Sequence, residues 1–165
     1  MTPIGFLIMG VSGSGKTTVG KALARRLGWD FFDADDFHPA ENIAKMASGI
    51  PLSDSDRAPW LAALHNLLSS TLKSNHHPVL ACSALKETYR AQLLDGIDNV
   101  EIIYLKGSYE LIWSRMSGRD GHYMRPEMLR SQFAVLEQPE NVFSLDVSMS
   151  PQDMVGKIVE TYFPA

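Results

Sequence analysis

Apolar residues gather in five short runs, at residues 4–9, 31–32, 79–82, 100–105 and 143–147, and each is followed by a stretch whose apolar positions recur at helical spacing. Such alternation predicts an α/β fold, a five-stranded parallel sheet flanked by helices. Several helix ends carry chemical markers. Residues 16–27 stop at Gly28, residues 39–48 open on Pro39 and stop at Gly49, and Pro151 opens "PQDMVGKIVETYF". Trp60, Leu61, Leu64, Leu67, Leu68 and Leu72 fall at helical spacing within residues 57–73. That spacing predicts a core face, and it leaves a homodimer surface open as the alternative. Residues 117–126, "SGRDGHYMRP", interrupt the pattern with two glycines and three basic side chains, and read as a mobile lid over about 117–130.

Composition narrows the class without changing that picture. The 165 residues, 45% hydrophobic, suit a single domain spanning 1–165 with one buried core. The first apolar run breaks at Gly10, too soon for a signal-peptide core or a membrane span, so a cytoplasmic protein without membrane contact is expected. Cys82 is the only cysteine, which excludes an internal disulfide. A formal charge of −4 argues against nucleic acid as a partner, since that needs a concentrated basic face. The adjacent His76 and His77 have no ligand spacing around them and are expected to be solvated.

The first chemistry follows the first run. "GVSGSGKTT" sets Gly10, Gly15, Lys16 and Thr17 at P-loop spacing between a strand and an amphipathic helix, and so predicts a P-loop NTPase fold. Glycine lets successive backbone N–H groups turn toward an anion. Gly10, Gly13, Ser14, Gly15, Lys16, Thr17 and Thr18 form the expected nucleotide cradle, with Lys16 near the β and γ phosphates and Thr17 able to ligate Mg²⁺. The third and fourth runs, "PVLACS" and "EIIYLKG", have no acid at that position, so Asp33, at the end of the second run, is assigned to the outer shell of Mg²⁺. No Asn-Lys-x-Asp sequence is present, which favours ATP over GTP.

The second chemistry is acidic. Residues 33–57 carry Asp33, Asp35, Asp36, Glu41, Asp54 and Asp56 against Lys45 and Arg57 alone. Such a field disfavours a phosphorylated acceptor and suits a polyol, because an ionised carboxylate accepts hydrogen bonds and takes the proton of an attacking hydroxyl. Asp35 is the candidate base. Asp36, Glu41, Asp54 and Asp56 read as helix caps and solvated turns.

"GVSGSGKTT", "DADDFHPAENIAKMASGIPLSDSDRAPWL", "ACSALKETYRAQL", "IIYLKGSYELIWSRM" and "GHYMRPEMLRSQFAVLEQP" together resemble the gluconate kinases of the small P-loop kinase type, over residues 4–140. His38-Pro39, Asn42, Lys45-Met46, Asp56-Arg57 and Ser83-Ala84-Leu85-Lys86 carry that resemblance. It implies ATP-dependent phosphorylation of the terminal hydroxyl of D-gluconate. The chain departs from the family pattern at Ala34, where glycine is common, and at Glu87, where a second lysine is common. Gluconate has one carboxylate, for which Lys86, Arg90 and Arg57 are the candidate cations; His38 and Lys45 complete the acceptor set. The resemblance makes Arg115 the residue that stacks on adenine. Arg119, between Gly118 and Gly121, is the expected phosphate-facing lid cation, whereas Arg125 and Arg130 read as a solvated helix start. A kinase for another hydroxy acid such as shikimate, and a nucleotide-binding regulator without an acceptor, are the competing readings.

Overall fold

All five predicted strands form and pair in parallel, in the order β2-β3-β1-β4-β5, in the computed structural model, which describes residues 2–117 and 126–165. They are β1 (Gly5–Met9), β2 (Asp30–Asp33), β3 (Pro78–Ala81), β4 (Val100–Lys106) and β5 (Phe143–Asp146). The helices between and after them are α1 (Lys16–Leu27), α2 (Ala40–Ala47), α3 (Asp54–Lys73), α4 (Glu87–Leu93), α5 (Tyr109–Ser117), α6 (Pro126–Val135) and α7 (Pro151–Tyr162). No helix among the described residues is long and apolar enough to cross a membrane.

Central β1 is buried along its whole length, and its period-two alternation feeds two cores. Phe6 and Ile8 pack on one face with Val19 and Leu23 of α1 and with Ile158 of α7. Leu7 and Met9 pack on the other with Leu64 and Leu68 of α3 and Leu93 of α4. The predicted core face of α3 is therefore the second core: Trp60, Leu61, Leu64, Leu68 and Leu72 are buried, and only Leu67 lies half-buried at its margin.

Helix α3 starts earlier than the apolar spacing indicates. The Ser53 hydroxyl accepts from Asp56 N and the Asp56 carboxylate accepts from Ser53 N, a capping box that adds a turn before the apolar face begins. The helix accommodates Pro59 near its start, where one backbone donor is missing.

One expectation fails at the edge of the sheet away from the P-loop. His77 is half-buried, stacked on Trp29 with centroids 4.5 Å apart, and its Nδ1 lies 3.1 Å from both Ile4 N and Ile4 O. The loop folds back onto an aromatic surface contributed by a distant segment. His76 is exposed as expected and meets Asp30 at 3.0 Å.

Parallel strands gather their C-terminal ends on one edge of the sheet. The P-loop after β1, Asp33 and Asp35 after β2, and residues 83–86 after β3 emerge there together.

Candidate active site

Gly13 and Gly15 adopt φ of 78° and 99°, a left-handed backbone that side chains resist. At Gly13 a Cβ would also come within 2.5 Å of the Met116 side chain. This turn delivers the chain into α1 with Lys16 as its first residue, and Lys16 Nζ donates to Val11 O at 2.9 Å. Burial pushes the Lys16 ammonium below its ordinary pKa, and the nearby Asp35 and Asp33 carboxylates oppose that shift. Ser14 Oγ is buried with no hydrogen-bond partner among the described residues. A helix N-terminus, a desolvated cation and an unpartnered hydroxyl fit a polyphosphate.

Thr17 Oγ1 donates to Asp33 Oδ2 at 3.2 Å, so the two residues assigned to magnesium share a bond at the mouth of the cradle. Asp33 Oδ1 accepts from Asp35 N at 3.0 Å, which fixes the turn after β2. Asp35 projects from that turn into a cleft of about 900 Å³ shared by Lys16, Thr17, Asp33, His38, Arg57 and Lys86. Burial, then repulsion from Asp33, raises the Asp35 pKa above the usual carboxylate value, with Lys16 and His38 acting against the rise. Cys82, on the same wall, is pushed up to about 12 by burial and stays a neutral thiol.

His38 lies face to face with Trp60 at 4.2 Å, and its Nδ1 is 3.3 Å from Asn42 Nδ2. An amide nitrogen only donates, so Nδ1 accepts and Nε2 carries the hydrogen. Burial lowers the His38 pKa, which favours this neutral ring. Trp60 is itself fixed by donation from Nε1 to Ala34 O at 2.7 Å.

The structure brings most of the expected residues together, with exceptions. Lys45 is bonded to both Asp56 oxygens, at 2.8 and 3.0 Å, and is not part of the cleft wall. That contact holds Asp56 at a pKa of about 2. Arg90 is buried behind the wall and donates to Ala84 O, Leu85 O and Glu137 O at 2.7, 3.2 and 2.8 Å. Its guanidinium is committed to backbone, which is a structural task. Arg115 is half-buried at the end of α5 and does not line the cleft. Arg119 and Arg125, and most of the expected lid, lie outside the described residues. Arg130 is exposed, as expected, with its guanidinium 5.4 Å from the Tyr109 ring centre.

Arg90→Met therefore tests a structural role against an acceptor-binding one. It strips donors from three carbonyls, of which Leu85 O keeps Glu137 N, and at about 1–3 kcal/mol for each of the other two the expected loss is about 2–6 kcal/mol of stability. Thermal melting should show it, while the KM for the acceptor stays near the parent value. A raised KM at unchanged melting temperature would return Arg90 to the acceptor set.

Three cleft residues lie inside the segments quoted for the resemblance but were not among the expected site residues. Tyr89 Oη donates to Asp54 and accepts from Arg57. Gln132 of α6 accepts from Ser12 N at 2.7 Å and donates to Ser12 Oγ at 2.9 Å, tying α6 to the P-loop. Met128, exposed on α6, lines the same wall as Gln132. Tyr89 follows Lys86, the residue that caps α4, by three positions, the one spacing that could have pointed to it. A separate depression of about 390 Å³, lined by Ala58, Ala62, His65 and Gln92 among others, lies between α3 and α4 and holds none of the expected site residues.

Comparison with known proteins converges on one group. The Shikimate kinase family matches residues 12–161. A probable gluconokinase of Mus musculus is 45% identical, over 93% of this chain and 95% of its own. The thermosensitive gluconokinase of Escherichia coli (strain K12) is 49% identical, over 82% of this chain and 72% of its own. The crystal structure of a gluconokinase from Sinorhizobium meliloti 1021 superposes with a TM-score of 0.85 at 36% identity, covering 98% of this chain and 97% of that one.

Proposed function

The chain belongs to the gluconokinases, within the shikimate kinase family, and uses ATP to phosphorylate D-gluconate to 6-phospho-D-gluconate; we propose that the cleft residues divide the reaction as follows. The backbone N–H groups of residues 13–18 and the Lys16 ammonium bind the β and γ phosphates. Thr17, with Asp33 acting through water, would hold Mg²⁺, which neutralises phosphate charge when bound. Asp35 accepts the proton of the terminal hydroxyl as its oxygen bonds to the γ phosphorus and the bond to the ADP oxygen breaks. Arg57 and Lys86 receive the gluconate carboxylate, and neutral His38 offers Nε2–H to a hydroxyl. Arg119 is the proposed lid cation and Arg115 the adenine-stacking residue. The cytoplasm is the proposed compartment, supported by a composition with one cysteine, which suits a reducing environment.

One observation carries this division: a carboxylate with a raised pKa shares a single cleft with the phosphate-binding lysine and with two further cations. A base beside a phosphate cradle serves a hydroxyl acceptor, and cations farther along serve an acid group. The test is coupled ADP release across D-gluconate, other sugar acids, neutral polyols and shikimate. Gluconate should lead in kcat/KM by at least about tenfold, the lower end of what one buried polar group left unpaired by the wrong acceptor costs at about 1–3 kcal/mol. Turnover indifferent to every acceptor, or led by shikimate, would overturn the reading.

A further inference from the structure

Asp54 is the first residue of α3, where an acid is ordinarily explained by the helix dipole. The hydrogen-bonding work at this helix start is done by Ser53 and Asp56, which complete the capping box and leave the Asp54 carboxylate free for other partners. Asp54 is instead engaged from the cleft side. Tyr89 Oη donates to Asp54 Oδ1 at 2.7 Å, and Lys86 Nζ lies 3.6 Å from the same oxygen. Arg57 Nη1 donates to Tyr89 Oη at 3.2 Å and to Leu52 O at 2.8 Å. The Arg57 and Lys86 cations lie 5.4 and 5.5 Å from the Tyr89 ring centre. Two like charges are thus held against one ring, and a single carboxylate relieves their repulsion.

We infer that Asp54 is an internal counter-ion that competes with the acceptor's carboxylate for Lys86 and Arg57, with Tyr89 holding the three charged groups in register. This rests on the reading that Arg57 and Lys86 receive that carboxylate. All four side chains line the cleft, and the Asp54 side chain is 72% exposed, so it can swing away without opening the core. The tyrosine hydrogen bond, then the Lys86 charge, keeps Asp54 below the usual carboxylate pKa, so it is ionised when the acceptor arrives. The arrangement makes Asp54 a specificity-determining residue. An acceptor carrying a carboxylate can take over both cations, whereas a neutral polyol leaves them neutralised by Asp54 and gains nothing from them.

The test is a double-mutant cycle in the gluconate KM, comparing the parent, Asp54→Asn, Lys86→Met and the double variant. Removing an exposed competing charge should lower the KM by about three- to fivefold, the scale of an exposed ion pair. Lys86→Met should raise the KM, and in that background, where Arg57 alone remains for Asp54 to hold, Asp54→Asn should lower it by clearly less than in the parent. Asp54→Ser, also suited to a first turn, repeats the comparison should the asparagine variant melt early. A KM raised or unchanged by Asp54→Asn, or an equal fall in both backgrounds, overturns the inference while gluconate turnover by the parent leaves the assigned reaction standing. Failure of the parent to turn over gluconate would overturn both.

Discussion

Lys16→Ala is expected to reduce kcat by about 10² to 10³, the usual cost of removing one pre-positioned group that stabilises transition-state charge. Lys16 is the first residue of α1, directly behind the left-handed turn at Gly15, and among the described residues its ammonium bonds to no carboxylate and donates to Val11 O at 2.9 Å. The charge is thus held ready for an anion. Its environment separates catalysis from folding: burial lowers the Lys16 pKa, so the charged form is disfavoured by the folded state relative to the unfolded one. Alanine suits a first helical turn and removes that penalty, so the melting temperature should hold or rise while turnover collapses. Coupled ADP release and thermal melting on the purified variant decide the matter. Near-normal turnover would take Lys16 out of phosphoryl transfer.

The residues that sequence reveals and those it hides differ in a physical way. The P-loop is legible because its glycines, lysine and threonine act within one turn of chain, where spacing alone fixes geometry. Asp33 and Asp35 are legible because a strand end aims them at the same edge of the sheet. Trp60 reads as core from its period, and it is buried, yet its bond to Ala34 O spans 26 positions and leaves no periodic trace. Tyr89 to Asp54 spans 35 positions, and Gln132 to Ser12 spans 120. The cations mislead for a related reason. Arg57, Lys45 and Arg90 look alike as charges, but Arg57 meets a tyrosine hydroxyl and one backbone carbonyl, Lys45 a capping carboxylate and Arg90 three backbone carbonyls, and a carbonyl has no signature in a sequence.

The second large effect is expected at Asp35. Asparagine keeps its size and one acceptor oxygen but loses the charge and the basic lone pair, so kcat should fall by about 10² to 10⁴, the range for a general base. The gluconate KM should move far less, because an amide still bonds a hydroxyl. Asp33→Asn should behave differently. Its carboxylate meets Thr17 Oγ1 at 3.2 Å, so a loss of metal affinity is expected, and raising the magnesium concentration should recover part of the activity. No such recovery is expected for Asp35→Asn. The pKa direction supplies an independent readout. Burial and Asp33 make the folded state hold the Asp35 proton more tightly than the unfolded state does, so its ionised form destabilises the fold at neutral pH. That penalty disappears once the pH drops below the unfolded carboxylate value of about 3.9. Asp35→Asn should therefore raise the melting temperature at pH 7 and lose that advantage near pH 3, even as it abolishes turnover. Magnesium rescue of Asp35→Asn but not of Asp33→Asn would exchange the two roles, and a fall in both turnover and melting temperature at pH 7 would make Asp35 a structural residue of the turn after β2.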